Sequence, residues 1–132
     1  MCGIAGILTR SPSAAPPARA ELEAMIGRLR HRGPDGTGTL VDGPAGLAHA
    51  RLAIIDLAGG AQPIANETGT VQVVFNGEIF NFVELRAALE ARGHRFATRT
   101  DTEVLVHLYE DMGERFVEPL NGQFAIALWD GA

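Results

Sequence analysis

The stretch Met1-Cys2-Gly3-Ile4-Ala5-Gly6-Ile7-Leu8 governs how the rest of the chain is read. Cys2 is the only cysteine, and one aminopeptidase cut would give it a free α-amine beside its thiol. Such an amine titrates at roughly 7.7–8.0, so near neutrality a useful fraction of it can accept a proton. A thiol is a strong nucleophile as thiolate, and an adjacent amine is one way to activate it. Nucleophile and base then reside on a single residue. The plainer reading makes Cys2 a small apolar residue opening a buried strand over residues 4–8. This stretch alone leaves both readings open.

Working outward, residues 11–17 form a Ser/Ala/Pro linker without periodicity. Leu22, Met25, Ile26 and Leu29 fall at i, i+3, i+4, i+7, the apolar stripe of an amphipathic helix that ends at Gly33-Pro34. Arg28, Arg30 and Arg32 fit a basic helix C-terminus better than a phosphate site, because the chain carries a net charge of -5. That charge also argues against nucleic acid or an anionic membrane surface as partner. No apolar run approaches the ~18 residues of a membrane span, and no secretory signal is present. One cysteine cannot form an internal disulfide, which fits a reducing compartment, and a cytoplasmic protein is the expectation.

Strands are expected at residues 38–41, 47–50 and 52–55, followed by a Gly-rich loop over 56–63. Residues 71–75 read as a strand buried on both faces. Asn76-Gly77 follows it directly, a common hairpin signal, but no matching strand returns. Asn81 instead opens a helix, with Glu84 completing a capping box and Phe82, Leu85 and Leu89 on the buried face. Asn76-Gly77 is therefore expected in a strand-to-helix corner. A short strand over 95–98 and a second helix over 102–112, stopped by Gly113, come next. A helical turn or two follows over 114–120, then an apolar strand over 122–129. Asp130-Gly131 after that strand is another hairpin signal, so the chain reads as part of a longer polypeptide. Strands interleaved with helices and turn-linked pairs indicate α+β. His31, His49, His94 and His107 are scattered without ligand spacing, so no metal site is expected.

Six ordered motifs carry a resemblance. They are Met-Cys-Gly-Ile-Ala-Gly at 1–6, His-Arg-Gly-Pro-Asp-Gly at 31–36, His-Ala-Arg-Leu-Ala-Ile-Ile-Asp at 49–56, Gly-Ala-Gln-Pro at 60–63, Phe-Asn-Gly-Glu-Ile-Phe-Asn at 75–81 and Thr-Asp-Thr-Glu at 100–103. Together they resemble the glutamine amidotransferase domain of glutamine-hydrolysing asparagine synthetases, members of the N-terminal-nucleophile hydrolases. The resemblance covers essentially the whole chain. It implies a four-layer α-β-β-α sandwich over residues 1–132, incomplete at its C-terminal end, with an ATP-dependent synthetase domain downstream.

The resemblance also implies roles. Cys2 is the nucleophile that attacks the carboxamide of L-glutamine and passes through a glutamyl thioester. Asn76 and Gly77 form the oxyanion hole. Arg51 holds the substrate α-carboxylate, Asp101 the α-ammonium with Glu78 beside it, and Leu52, Ile54 and Ile55 line the site mostly through backbone. This domain needs no cofactor; ATP and magnesium belong to the synthetase domain, which activates aspartate. A homodimer, and activity of these 132 residues by themselves, are left open.

Plainer readings stand beside these roles. Arg51 reads equally as a surface residue at a strand end, Asp101 as a helix-terminus acid beside a Thr100-x-x-Glu103 capping box, and Glu78 as a solvated acid. The alternative functions are an amidotransferase domain serving a sugar phosphate, a purine precursor or another carboxylate, and a non-catalytic domain of the same fold.

Overall fold

A computed structural model describes residues 1–11 and 13–132. The expected linker over 11–17 includes Pro12, which lies outside the described residues; residues 13–18 are turn and coil. Two three-stranded antiparallel sheets face each other. The first contains β1 (Gly3–Leu8), β2 (Gly36–Asp42) and β3 (Ala45–Arg51), ordered β1-β3-β2. The second contains β4 (Ile64–Ala65), β5 (Val71–Ile79) and β6 (Gly122–Asp130), ordered β4-β5-β6. Helix α1 (Arg19–Gly27) packs on the first sheet, and α2 (Phe82–Ala91) and α3 (Val104–Met112) pack on the second. The expected α-β-β-α layering is borne out.

The two sheets have different interiors. The second buries Val71, Val73, Phe75 and Ile79 of β5 against Leu89 of α2 and Val104, Leu105 and Leu108 of α3. β-Branched and aromatic residues suit a pleated strand, and each such buried side chain contributes about 1.5–3 kcal/mol. The first sheet has a thinner interior of Leu22, Ile26, Ala48 and Ala50. Its central strand, Ala-Gly-Leu-Ala-His-Ala-Arg, uses small residues so that α1 can lie close. A Cβ on Gly46 would stand 2.9 Å from Leu22 Cδ1.

Several local expectations are corrected. The first helix ends at Gly27 and not at Gly33-Pro34, and residues 28–32 form turns closed by N–H groups of Leu29 and Arg32. β1 is a half-exposed edge and not a buried strand, with Leu8 64% exposed. Residues 52–55 and 95–98 are not strands. Their N–H groups are taken by side chains: Leu52 by Cys2 Sγ, Ala53 by Asp35, and Ala97 and Thr98 by the Glu103 carboxylate. Glu103 is thereby occupied, so Thr100-x-x-Glu103 forms no capping box.

β5 runs on through Ile79, so Asn76-Gly77 lies inside a strand and not in a corner, paired with Ala125 and Phe124 of β6. Neither residue has the positive φ that a hairpin turn of this sequence requires. Gly77 is needed for another reason. A Cβ there would collide with Gln123 O and come 2.7 Å from Phe124 Cα. Asn81 does precede α2, but its side chain does not cap it. Nδ2 donates to Pro119 O at 2.9 Å and Oδ1 accepts the Asn121 N–H at 2.9 Å, tying the end of β5 to the start of β6. The final helical turns are a 3₁₀ segment, Gly113–Val117. Finally, His94 and His107 are not scattered: their rings meet in a tilted contact with centroids 4.9 Å apart.

Candidate active site

One cleft opens where the two sheets meet. It is lined by Met1, Cys2, Arg51, Leu52, Ile54, Ile55, Asn76, Gly77, Glu78 and Asp101, among others. Every residue named from the sequence for catalysis or substrate binding is in this lining.

The Cys2 end is held by polar contacts. Arg32 Nε donates to Cys2 O at 3.0 Å, and the Leu52 N–H donates to Cys2 Sγ at 3.3 Å. The motif at 31–36 therefore has structural work that the sequence did not specify. Arg32 fixes the Cys2 carbonyl, and Asp35 Oδ2 accepts the Ala53 N–H at 2.8 Å. Gly33 lets its turn approach the Ala50–Arg51 backbone, where a Cβ would collide with Ala50 O.

The opposite wall comes from β5. The Phe75 N–H donates to Gln62 Oε1 at 2.6 Å and the Ile79 N–H to Asp101 Oδ2 at 3.0 Å, so both point away from β6. Strand period is two, which turns the Gly77 N–H to the same edge, between them and beyond the end of β4. That leaves a backbone donor facing the cleft. The Asn76 carboxamide lies next to it, its Oδ1 buried without a partner.

Charges divide the cleft. Arg51 closes β3 half-buried, its guanidinium donating to the carbonyls of Leu57 at 3.1 Å and Ile55 at 3.4 Å, as well as to Asp56. It is no surface arginine. Asp101 is 6% exposed, and burial raises its pKa although the Ile79 N–H pulls the other way. The Glu78 pKa is also raised, by burial first and then by the charge of Asp101, with the Met1 ammonium opposing. A guanidinium at one end and two carboxyls at the other match a zwitterionic amino acid. Asp56, in the left-handed region at φ 50°, links two segments of the wall. Its Oδ1 accepts the Gly59 N–H at 2.9 Å and its Oδ2 the Arg99 N–H at 2.8 Å.

Gly60, Gln62, Thr100 and Thr102 also line the cleft and were not singled out from the sequence. The signal was present, since all four fall in the motifs at 60–63 and 100–103.

The family profile described as "Glutamine amidotransferase domain" matches residues 1–132. The chain belongs to the glutamine amidotransferase domain family. Among curated relatives of this domain, "Asparagine synthetase [glutamine-hydrolyzing] 2" of Bacillus subtilis (strain 168) is 44% identical over 131 residues, 98% of this chain and 17% of the relative. "Asparagine synthetase [glutamine-hydrolyzing] 1" of Arabidopsis thaliana is 47% identical over 130 residues, 98% of this chain and 22% of the relative. The amidotransferase domain thus spans about a fifth of the length of these relatives. Of solved structures, glutamine phosphoribosylpyrophosphate amidotransferase from B. subtilis superposes on 69% of the domain and 22% of that chain, with a TM-score of 0.56 and 27% identity. A second, titled as the allosteric regulatory enzyme of purine biosynthesis, covers 97% of the domain and 29% of that chain at a TM-score of 0.58 and 24% identity, a likeness of fold. The fold is that of the N-terminal-nucleophile hydrolases.

Proposed function

We propose that this domain is the glutaminase half of an asparagine synthetase, hydrolysing L-glutamine to glutamate and ammonia. The observation that carries the reading is the convergence of Cys2 Sγ, the Gly77 N–H edge and the Arg51/Asp101 charge pair in one cleft. The 44–48% identity to relatives named as glutamine-hydrolysing asparagine synthetases supports asparagine synthesis as the wider purpose.

With Met1 removed, the Cys2 α-amine accepts the thiol proton. The thiolate attacks the glutamine carboxamide carbon, and the carbonyl electron pair moves onto oxygen. Asn76 and the Gly77 N–H donate to that oxyanion, whose charge is absent from the ground state. Collapse expels the amide nitrogen, which leaves as ammonia with the proton from the α-amine. Water, deprotonated by the same amine, then cleaves the thioester and releases glutamate. Arg51 grips the α-carboxylate through its planar fork, and Asp101 with Glu78 receives the α-ammonium. The ammonia passes to an aspartate activated by ATP in a synthetase domain of the same longer chain, in a reducing, cytoplasmic setting.

The test is ammonia release from glutamine by the full-length protein and its Cys2→Ala variant. Loss of glutamine hydrolysis with retained synthesis from free ammonia is expected. A Cys2→Ala variant that still hydrolyses glutamine at near the original rate would overturn the reading.

A further inference from the structure

On the outer face of the second sheet, four side chains converge that the glutaminase reading does not use. Glu67 stands between β4 and β5, His94 follows α2, and His107 and Glu110 share one face of α3. Glu67 Oε2, His94 Nδ1, His107 Nδ1 and Glu110 Oε2 lie within 4.8 Å of one another. His107 Nδ1 is 3.2 Å from Glu110 Oε2 and 3.6 Å from Glu67 Oε2, and His94 Nδ1 is 3.5 Å from Glu110 Oε2. A tetrahedron with metal–ligand bonds of about 2.0–2.2 Å has edges of roughly 3.3–3.6 Å. Two edges already have that length, and the third, at 3.2 Å, is slightly shorter.

We propose that Glu67, His94, His107 and Glu110 form a four-coordinate site for a first-row divalent cation, zinc foremost. A second observation, the outer set of partners, points the same way. A ligating imidazole usually directs its other nitrogen at a carboxylate. His94 Nε2 is 3.0 Å from Asp111 Oδ1, and His107 Nε2, buried and without a hydrogen bond, faces Glu103 Oε1 at 3.8 Å. Each carboxylate likewise spends one oxygen on an orienting bond and turns the other to the imidazoles. Glu67 Oε1 accepts the Arg95 N–H at 3.0 Å, and Glu110 Oε1 accepts from Asn66 Nδ2 at 2.7 Å.

Charge supports a cation too. Among the described residues, Arg92 on Asp111 is the arginine ion-paired to this group; the ion-pair partners of Glu67, Glu103 and Glu110 are histidines. Two imidazoles with carboxylates suit zinc better than magnesium or calcium, which take oxygen shells. The ion would fasten the β4–β5 turn, the end of α2 and α3 together. The competing occupants are protons on the two imidazoles.

Neither Cys2 nor the cleft takes part, so the two readings fail separately. The experiment strips the full-length protein with a chelator and titrates it with zinc against a chromophoric competitor. One zinc per chain is expected, with a rise in Tm. Glu67→Gln, an exposed and mild change, and His94→Ala should each weaken binding at least 100-fold and lose the Tm rise. Asp111→Asn should weaken it 10–100-fold, and Cys2→Ala should leave it unchanged. Cobalt substitution should give four-coordinate visible bands without a thiolate charge-transfer band. Absence of stoichiometric zinc in the original protein overturns the proposal, as does equal binding by Glu67→Gln and His94→Ala.

Discussion

The two sheets divide the work unequally. The first carries Cys2, the proposed nucleophile, at the start of a half-exposed edge strand over a thin interior of Leu22, Ile26 and alanines. The second presents the donors and Asp101 from strands and a helix start set in a dense apolar core. Cys2 is held by specific polar contacts from Arg32 and Leu52, whereas Gly77 is held by packing that admits no side chain. On the proposed mechanism, the contrast teaches that a nucleophile uncovered by loss of Met1 can be held at an edge by hydrogen bonds. The donors, which must not move as charge develops, are built into the part that folds most firmly.

The sharpest separation comes from Cys2→Ala. Glutaminase activity should fall to background while Tm barely changes, measured by ammonia release and a melt on the same sample. A large loss of stability would make the edge strand more than a carrier. Asn76→Ala should lower kcat by roughly 10²–10³-fold with little change in glutamine binding, as for other single-donor deletions. A folded variant that kept most of its kcat would remove Asn76 from the chemistry and leave the Gly77 N–H as the second sheet's donor.

Stability should show the opposite asymmetry. Leu105→Ala, fully buried, should cost about 2–5 kcal/mol in denaturant unfolding. Ile7→Ala on the half-exposed edge should cost less than half of that. Equal costs would erase the distinction between the two interiors. Arg51→Lys keeps the charge but loses the fork, and should raise the KM for glutamine roughly tenfold, the loss of one charge-assisted hydrogen bond.

The smallest effect is the order of failure in acid. Burial depresses the His49 pKa from 6.5 to about 4, with Arg51 adding to it against a bond to the Phe75 backbone. The unfolded chain then binds the extra proton, so the first sheet loses stability as pH falls from 6.5 towards 4. For Glu103, burial raises the pKa, but His107, Thr98 and the Ala97 and Thr98 N–H groups outweigh it and bring it from 4.5 to about 2. Its contribution is whole above 4.5 and is lost as pH falls towards 2. Denaturation across this range should lose its upper branch in His49→Gln and its lower branch in Glu103→Gln.

Much of this contrast could be read in the sequence, and the misreadings share a cause. The β5 valines and the α3 stripe declared the second core through periodicity. The six motifs named every residue that closes the cleft. Residues 52–55 and 95–98 carry strand-like composition, yet their N–H groups bond to Cys2, Asp35 and Glu103, partners 5 to 50 positions away. Asn76-Gly77 looked like a corner because glycine punctuates turns, whereas here it yields space to β6. The pairing of His94 with His107 was hidden because local spacing cannot show two elements folding back on each other.

The Asp56 carboxylate draws the arginine loop and the segment before Asp101 together through Gly59 and Arg99. One side chain thus braces the loop that receives the Arg51 guanidinium against the segment that leads to Asp101, as a gauge block braces the jaws of a caliper.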